Sequence, residues 1–513
     1  MKIFKLVIIT NLLFTLNACN WSKEQIQPNK KSVSQAQIKA TVTPEEMLNK
    51  DLLTLIIKHR LTGDPTIGRE LPSIDEPLAQ LGAKLFFTKA LSGNLDVACV
   101  SCHHPSLGGG DNLALSIGVD AEIPDLLGPG RRHSSAEEFY DGGPTVPRNA
   151  PTTFNLGLWD KVLFHDGRVE SLGGTPNSNG DDGQGIRTPD VEFGMIDINS
   201  GANLSVAQAR FPVTSAQEMK NFDHFGQSTN SEVRMFLAQR VGLYGLSSSE
   251  LAENSWLSEF RDAFEEPEGI AEELITFANI TNAIAFYENS QVFVNTPWKE
   301  FINGKVGALS LSAKRGARLF YATVENGGAA CVSCHTGDFF TDEKFYNLAM
   351  PQIGRGKGDG SDATNDFGRY RETKVDSDKF SFRTPTLLNV EVTGPWTHAG
   401  AYNTLNAVVK HHLNPESSIT NYDWSSLSPN IQAHNMTTNT KAALDELQKN
   451  GENAYRIIPM SDNQVTDIVS FLKSLTDPCV KDRECLSKWI PDASDTNPDG
   501  LRLNAIDKEG AFL

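Results

Sequence analysis

The pentapeptide Cys-Val-Ser-Cys-His occurs twice in this chain, at residues 99–103 and 331–335, each time after an alanine. With 7 Cys and 11 His in 513 residues, one Cys-x-x-Cys-His is expected by chance only about 0.002 times. The segments in front repeat as well: residues 81–103 read LGAKLFFTKALSGNLDVACVSCH, and residues 315–335 read RGARLFYATVENGGAACVSCH. In both, Gly-Ala-basic-Leu-Phe-aromatic leads through a Gly/Asn loop into the motif. The spacing of Leu78, Leu81, Leu85 and Phe86 is that of a helix rather than a strand. Any fold for this chain must therefore present the same helix and Cys-x-x-Cys-His turn twice.

Three chemistries use such cysteines. A thioredoxin-like pair belongs in a βαβ context, and no strand–helix alternation surrounds either motif. In a zinc site, the adjacent His is badly placed to join both thiolates on one ion. Covalent haem c uses all three residues: each Cys forms a thioether to a vinyl group, and the His after them faces the iron. Cys99, Cys102 and His103 thus hold one haem, and Cys331, Cys334 and His335 a second. The fold expected is all-α, with two cytochrome c-like haem domains and long irregular loops.

A length of 513 residues exceeds one ordinary core and fits two domains with extensions. The formal charge of −18 argues against nucleic acid, whose binders carry a basic footprint. At the N-terminus Lys2 and Lys5 precede an apolar run too short to span a bilayer, which ends in Leu16-Asn17-Ala18-Cys19. This resembles a bacterial lipoprotein signal, with Cys19 as the lipidated residue and a periplasmic, membrane-anchored protein as the result. Cys479 and Cys485 remain, and an oxidising compartment makes them a local disulfide. The expected organisation is a signal over 1–18, a tether and lead-in over 19–64, an N-terminal haem c domain over 65–296, a C-terminal haem c domain over 297–490 and a tail over 491–513. Two long loops, residues 120–147 and 173–203, interrupt the first haem domain, and loops of that length are usually functional or mobile.

Across residues 77–477 the chain resembles the bacterial di-haem cytochrome c peroxidases and their relative MauG. Beside the haem motifs, the resemblance rests on PRNAPTTFN (147–155), LFHDGRVESL (163–172), QARFPVTSAQEM (208–219) and FRTPTLLNVEVTGPWTHAGAYNTLNAVVKHH (382–412). It implies that Gln208, Pro212 and Glu218 line a peroxide pocket over the first haem. Cleaving a peroxide O–O bond needs a proton moved from the nearer oxygen to the farther, which is general acid–base work suited to a carboxylate. Gln208 would orient the peroxide. The resemblance also implies a calcium ion held by Asn149, Thr393 and Pro395, since calcium accepts neutral carbonyl oxygens.

Three positions depart from the family. The His that occupies the sixth position of the first iron is replaced by Val119, leaving an open distal face unless His133 fills it from the longer loop. His104, after the first motif, reads as a surface residue. In the second half, the place of the family's Met or Tyr ligand falls on His412, which predicts ligation of the second iron by His335 and His412, with His411 as the neighbouring substitute. The inter-haem Trp is replaced by His165, leaving Trp159 or Trp396 as the relay. The function implied is reduction of hydrogen peroxide at the first haem, with electrons from a small redox protein (cytochrome c or cupredoxin) passed through the second. Relatives often dimerise, so a homodimer is within the expectation. The alternatives are a MauG-like peroxide-dependent oxidase of a protein or organic substrate, a dioxygen-using enzyme resembling the rubber oxygenases, and a non-catalytic electron carrier. The carrier has no use for Gln208 and Glu218.

Overall fold

The computed structural model of the chain describes residues 43–449, 456–492 and 494–513. The signal, Cys19 and the tether up to residue 42 lie outside them. In the first repeat, helix Pro77–Phe87 starts on a proline, whose missing N–H is no loss in a first turn, and buries Leu81, Leu85, Phe86 and Phe87. It crosses helix Phe277–Asn289, which Thr276 caps by accepting from the Asn279 N–H. At the crossing, a Cβ on Gly82 would stand 1.9 Å from the Ala283 carbonyl oxygen and 2.9 Å from the Tyr287 Cβ. In the second repeat, helix Leu311–Tyr321, capped by Ser310, crosses helix Asp462–Lys473. There a Cβ on Gly316 would stand 1.8 Å from the Asp467 oxygen and 2.9 Å from the Phe471 Cβ. The two crossings are the same device, down to the partner residues four positions apart.

Each helix pair seeds its own apolar core. Leu85, Phe86, Trp256, Phe260, Ile280 and Tyr287 belong to the first, and Trp298, Phe320, Tyr321, Ile468 and Phe471 to the second. The terminal segments cross over. Helix Pro44–His59 sends Leu52 and Ile56 into the second core, and Glu45 pairs with the buried Lys314 at 2.6 Å. The C-terminal segment places Leu503 and Ala505 in the first core, where the Leu503 N–H donates to the Phe87 carbonyl at 2.8 Å. Asp499 accepts from the Thr88 hydroxyl at 2.7 Å and the Trp256 indole at 2.9 Å.

The fold is mostly helical rather than all-α. Strands Val162–Leu163, Val169–Ser171 and Ile186–Arg187 form an antiparallel sheet, and Phe345–Asn347 pairs with Ser381–Arg383. Two or three residues are too few to show a two-residue alternation, so these strands leave no periodic trace in the sequence. The first sheet presents the 163–172 block as a hairpin whose turn passes through Gly167 at φ +68°, where a Cβ would also meet the Phe345 ring. Cys479 and Cys485 form a disulfide with Cα atoms 5.4 Å apart, and Cys99, Cys102, Cys331 and Cys334 are unpaired. No helix among the described residues is long and apolar enough to cross a membrane.

Candidate functional site

A cavity lies in the first half of the molecule, lined by Cys99, Cys102 and His103 together with Gln208, Pro212 and Glu218. The first motif enters it on a short helical turn, Cys99–Ser101, in which the Ser101 hydroxyl accepts from the Ala98 N–H at 3.1 Å. His103 turns its Nδ1 to the Gly109 carbonyl at 3.2 Å. A proton on Nδ1 donates there and leaves the Nε2 lone pair free for a metal, the arrangement that orients ligating histidines.

Opposite, Asn203 caps the short helix Leu204–Ala209 that carries Gln208, and Pro212 opens the next turn. Glu218 then sits on a single π-helical turn, Ala216–Lys220, a geometry concentrated at functional sites. Residues 118 and 119 lean on this turn: a Cβ on Gly118 would lie 2.4 Å from the Glu218 carbonyl oxygen, and the Val119 N–H faces the Gln217 carbonyl at 3.4 Å. Val119 is fully buried in the first core. His133 bonds the Gly143 carbonyl through Nδ1 at 3.1 Å and is not among the cavity's lining residues. Burial raises the Glu218 carboxyl above its ordinary range, against the pull of Arg168, Lys357 and Arg148. Arg168 stands 4.0 Å from Glu218, and its guanidinium lies 3.5 Å over the Phe164 ring.

The same cavity holds His165 and Trp159. His165 meets the Asn149 carbonyl through Nε2 at 3.0 Å, and burial together with Arg148 lowers its pKa to about 4, so it is neutral. Trp159 carries the Arg383 guanidinium 3.6 Å over its ring and meets the Phe339 ring at 5.2 Å. Since Phe339 follows the second motif closely, Trp159 touches both the first cavity and the second motif's segment. Trp396 instead packs on the second core with its indole on the Val390 carbonyl.

In the second motif, His335 likewise turns Nδ1 to a main-chain oxygen, that of Phe340 at 3.1 Å. His412 faces it with ring centroids 6.5 Å apart, its own Nδ1 on the Val408 carbonyl at 2.9 Å. With metal–nitrogen bonds of about 2.0–2.1 Å and ring centres about 1.1 Å beyond each nitrogen, two imidazoles across one metal ion stand about 6.3 Å apart. The spacing of the pair is close to that value. His411 is fully committed, Nδ1 to the Tyr402 hydroxyl and Nε2 to the Leu348 carbonyl, both at 2.8 Å.

His104 is a correction to the sequence reading: it is fully buried, edge-on to Phe87 at 6.0 Å, with Nδ1 accepting from the Ser106 N–H. A helical turn after the motif swings it inward, which adjacency to His103 does not reveal. Asn149 donates through Nδ2 to the Leu113 carbonyl at 2.8 Å and to the Ala114 carbonyl at 3.3 Å, and its Oδ1 accepts no hydrogen bond among the described residues. No group of three or more His, Cys, Asp or Glu among those residues is placed to hold a metal ion, so a calcium site here would rest on neutral oxygens.

Sequence reasoning did not assign Arg168, Arg383 or Glu288, which also line the cavity. Arg168 lies in a quoted block, so its proximity to Glu218 was open to inference. Glu288 left a clearer signal, an acidic residue four positions after Ile284 on the buried stripe of its helix.

Two Cys-x-x-Cys-His turns, each with a free Nε2, on a mostly helical frame define a protein built to attach two haems. The profile described as di-haem cytochrome c peroxidase matches residues 76–307. MauG, the methylamine utilization protein of Methylorubrum extorquens, is 26% identical over 73% of this chain and 78% of its own. The cytochrome c551 peroxidase of Pseudomonas aeruginosa is 25% identical over 64% of this chain and 69% of its own. Among solved structures, a MauG-like protein associated with microbial copper homeostasis superposes with a TM-score of 0.50 at 19% identity, covering 82% of this chain and 96% of that one. These matches show that much of the chain is similar to di-haem cytochrome c peroxidases and to MauG.

Proposed function

We propose that this chain is a di-haem c-type peroxidase that reduces hydrogen peroxide in the His103 cavity, with electrons arriving from a small redox protein through the His335 side. The observation that carries the reading is the convergence of His103, Gln208, Pro212 and Glu218 on one cavity. Cys99, Cys102 and His103 would hold the first haem, and Cys331, Cys334, His335 and His412 the second. When bound, the haems supply one-electron carriers and, at the first, an open position for peroxide.

The chain's own residues supply the proton chemistry. Glu218 takes a proton from the nearer peroxide oxygen and returns it to the farther, while the Gln208 amide orients the molecule. Two electrons and two further protons complete the formation of two waters. Burial raises the Glu218 carboxyl while Arg168 beside it pulls the other way, and a carboxyl so placed is suited to general acid–base work. Trp159 replaces the missing inter-haem Trp as the path between the two halves, with His165 neutral beside it. Calcium would be held by Asn149 Oδ1 and the carbonyls of Thr393 and Pro395. An anchor at Cys19, a periplasmic location and a homodimer complete the proposal.

The test uses the purified oxidised protein: its spectrum, then peroxide with reduced cytochrome c. One high-spin and one low-spin haem with rapid cytochrome oxidation support the reading, whereas two low-spin haems inert to peroxide leave only an electron carrier. Glu218→Gln is expected to lower turnover by about 10²–10⁴-fold with both haems retained. The MauG-like oxidase is favoured by one observation, Val119 buried where the gating His would stand. Long-lived oxidised species with little cytochrome turnover would select it.

A further inference from the structure

Glu288 is a carboxyl that the peroxide chemistry above does not use. It lies in the last turn of helix Phe277–Asn289, is 4% exposed and lines the cavity of the first motif. Its Oε2 is buried without a hydrogen-bond partner, and no ion pair to it is present among the described residues. The helix end adds to its isolation, since the free carbonyls there disfavour a negative charge. A buried acid with an unpartnered oxygen and no cation paired to it is costly in its charged form, so such groups neutralise instead.

We propose that Glu288 is a proton site coupled to the electron on the first haem: each electron entering that cavity is accompanied by one proton taken onto the Glu288 carboxylate, and each electron leaving releases it. The inference rests on the haem reading of Cys99, Cys102 and His103. The balance is one electron and one proton in, with no bond broken except that between the proton and its carrier in solvent. Burial alone raises this carboxyl, to about 8, which puts its titration within reach of neutral conditions. The groups around it are Tyr287 and Cys99, with Lys84 on the packed helix engaged by Glu259 at 2.8 Å. His103, His165, Glu218, Arg148, Arg168 and Arg383 share the cavity, and none of these charges accounts for the shift.

The experiment is a redox titration of the first haem of the holoprotein from pH 6 to 9, after mass spectrometry has counted the attached haems. A tenfold change in proton activity is worth about 59 mV for one electron, so the midpoint potential should fall by about that amount per pH unit within the coupling window. In Glu288→Gln the slope should flatten. Infrared difference spectra should show a protonated carboxyl forming on reduction, absent in the variant. A flat wild-type profile, or a slope that Glu288→Gln preserves, overturns the proposal. If the variant fails to load haem, the wild-type slope and its carboxyl band decide. Fewer than two attached haems would instead defeat the underlying reading.

Discussion

Four histidines outside the proposed iron ligands sit in surroundings that keep them neutral. Burial lowers His104 and His398 to about 3, and His165 and His411 to about 4. In the unfolded chain each takes up a proton near the ordinary 6.5. Their folded values are depressed, so the unfolded state binds more protons below that pH, and stability is lost as pH falls from about 6.5 towards 3–4. For His104 alone the loss is on the order of 4–5 kcal/mol at its limit. Urea denaturation between pH 7 and 4 should show this decline. His104→Asn keeps an acceptor for the Ser106 N–H and removes the titration, so its slope should be shallower by up to about 1.4 kcal/mol per pH unit. At this scale sequence resemblance named Gln208 and Glu218 by motif, and both line the first cavity. It failed where direction mattered: nothing in the string His103-His104 says that one ring faces a cavity and the other a phenylalanine.

The elements carry the duplication. Gly in a helix interior is worth roughly 1 kcal/mol less than Ala, so Gly82 and Gly316 are kept for contact, not for helix formation. Ala at either place would drive a methyl into a facing backbone carbonyl. We expect Gly82→Ala and Gly316→Ala each to cost about 1–3 kcal/mol or more by overpacking, each lowering the thermal midpoint. An unchanged midpoint would show that these crossings yield easily. Both helices were legible in the sequence from apolar spacing and from their repetition. The short strands were not, and the π-helical turn under Glu218 was not either; residues 118 and 119, about a hundred positions away, pack against it.

In the whole molecule, the two halves are joined through buried charge. Arg148 reaches Asp166 at 2.5 Å in its own half and Asp366 at 2.6 Å in the other, with all three side chains at most 6% exposed. The guanidinium holds both carboxyls far below the carboxylate range. Removing it by Arg148→Met takes from Asp366 the guanidinium that pairs with it and leaves Asp166 only the longer contact to Arg168 at 3.3 Å, a loss of about 3–5 kcal/mol to be read from the urea midpoint. Since the folded values of both aspartates are depressed, their contribution holds above about pH 3.8 and disappears below it. The crossing of the terminal segments onto opposite cores belongs to this scale as well. It links each end of the chain to residues hundreds of positions away, beyond the reach of any local pattern.

The linear chain by itself determined the number of haem attachment turns, the helix that precedes each and the disulfide between Cys479 and Cys485, because all of these depend on residues a few positions apart. Only the tertiary structure decided which groups share the first cavity, that His412 rather than His411 lies against His335, and that the Glu288 Oε2 stands inside without a hydrogen-bond partner among the described residues. Those outcomes depend on the packing of segments distant in sequence, where burial and neighbouring charge, rather than residue type, set what a side chain can do.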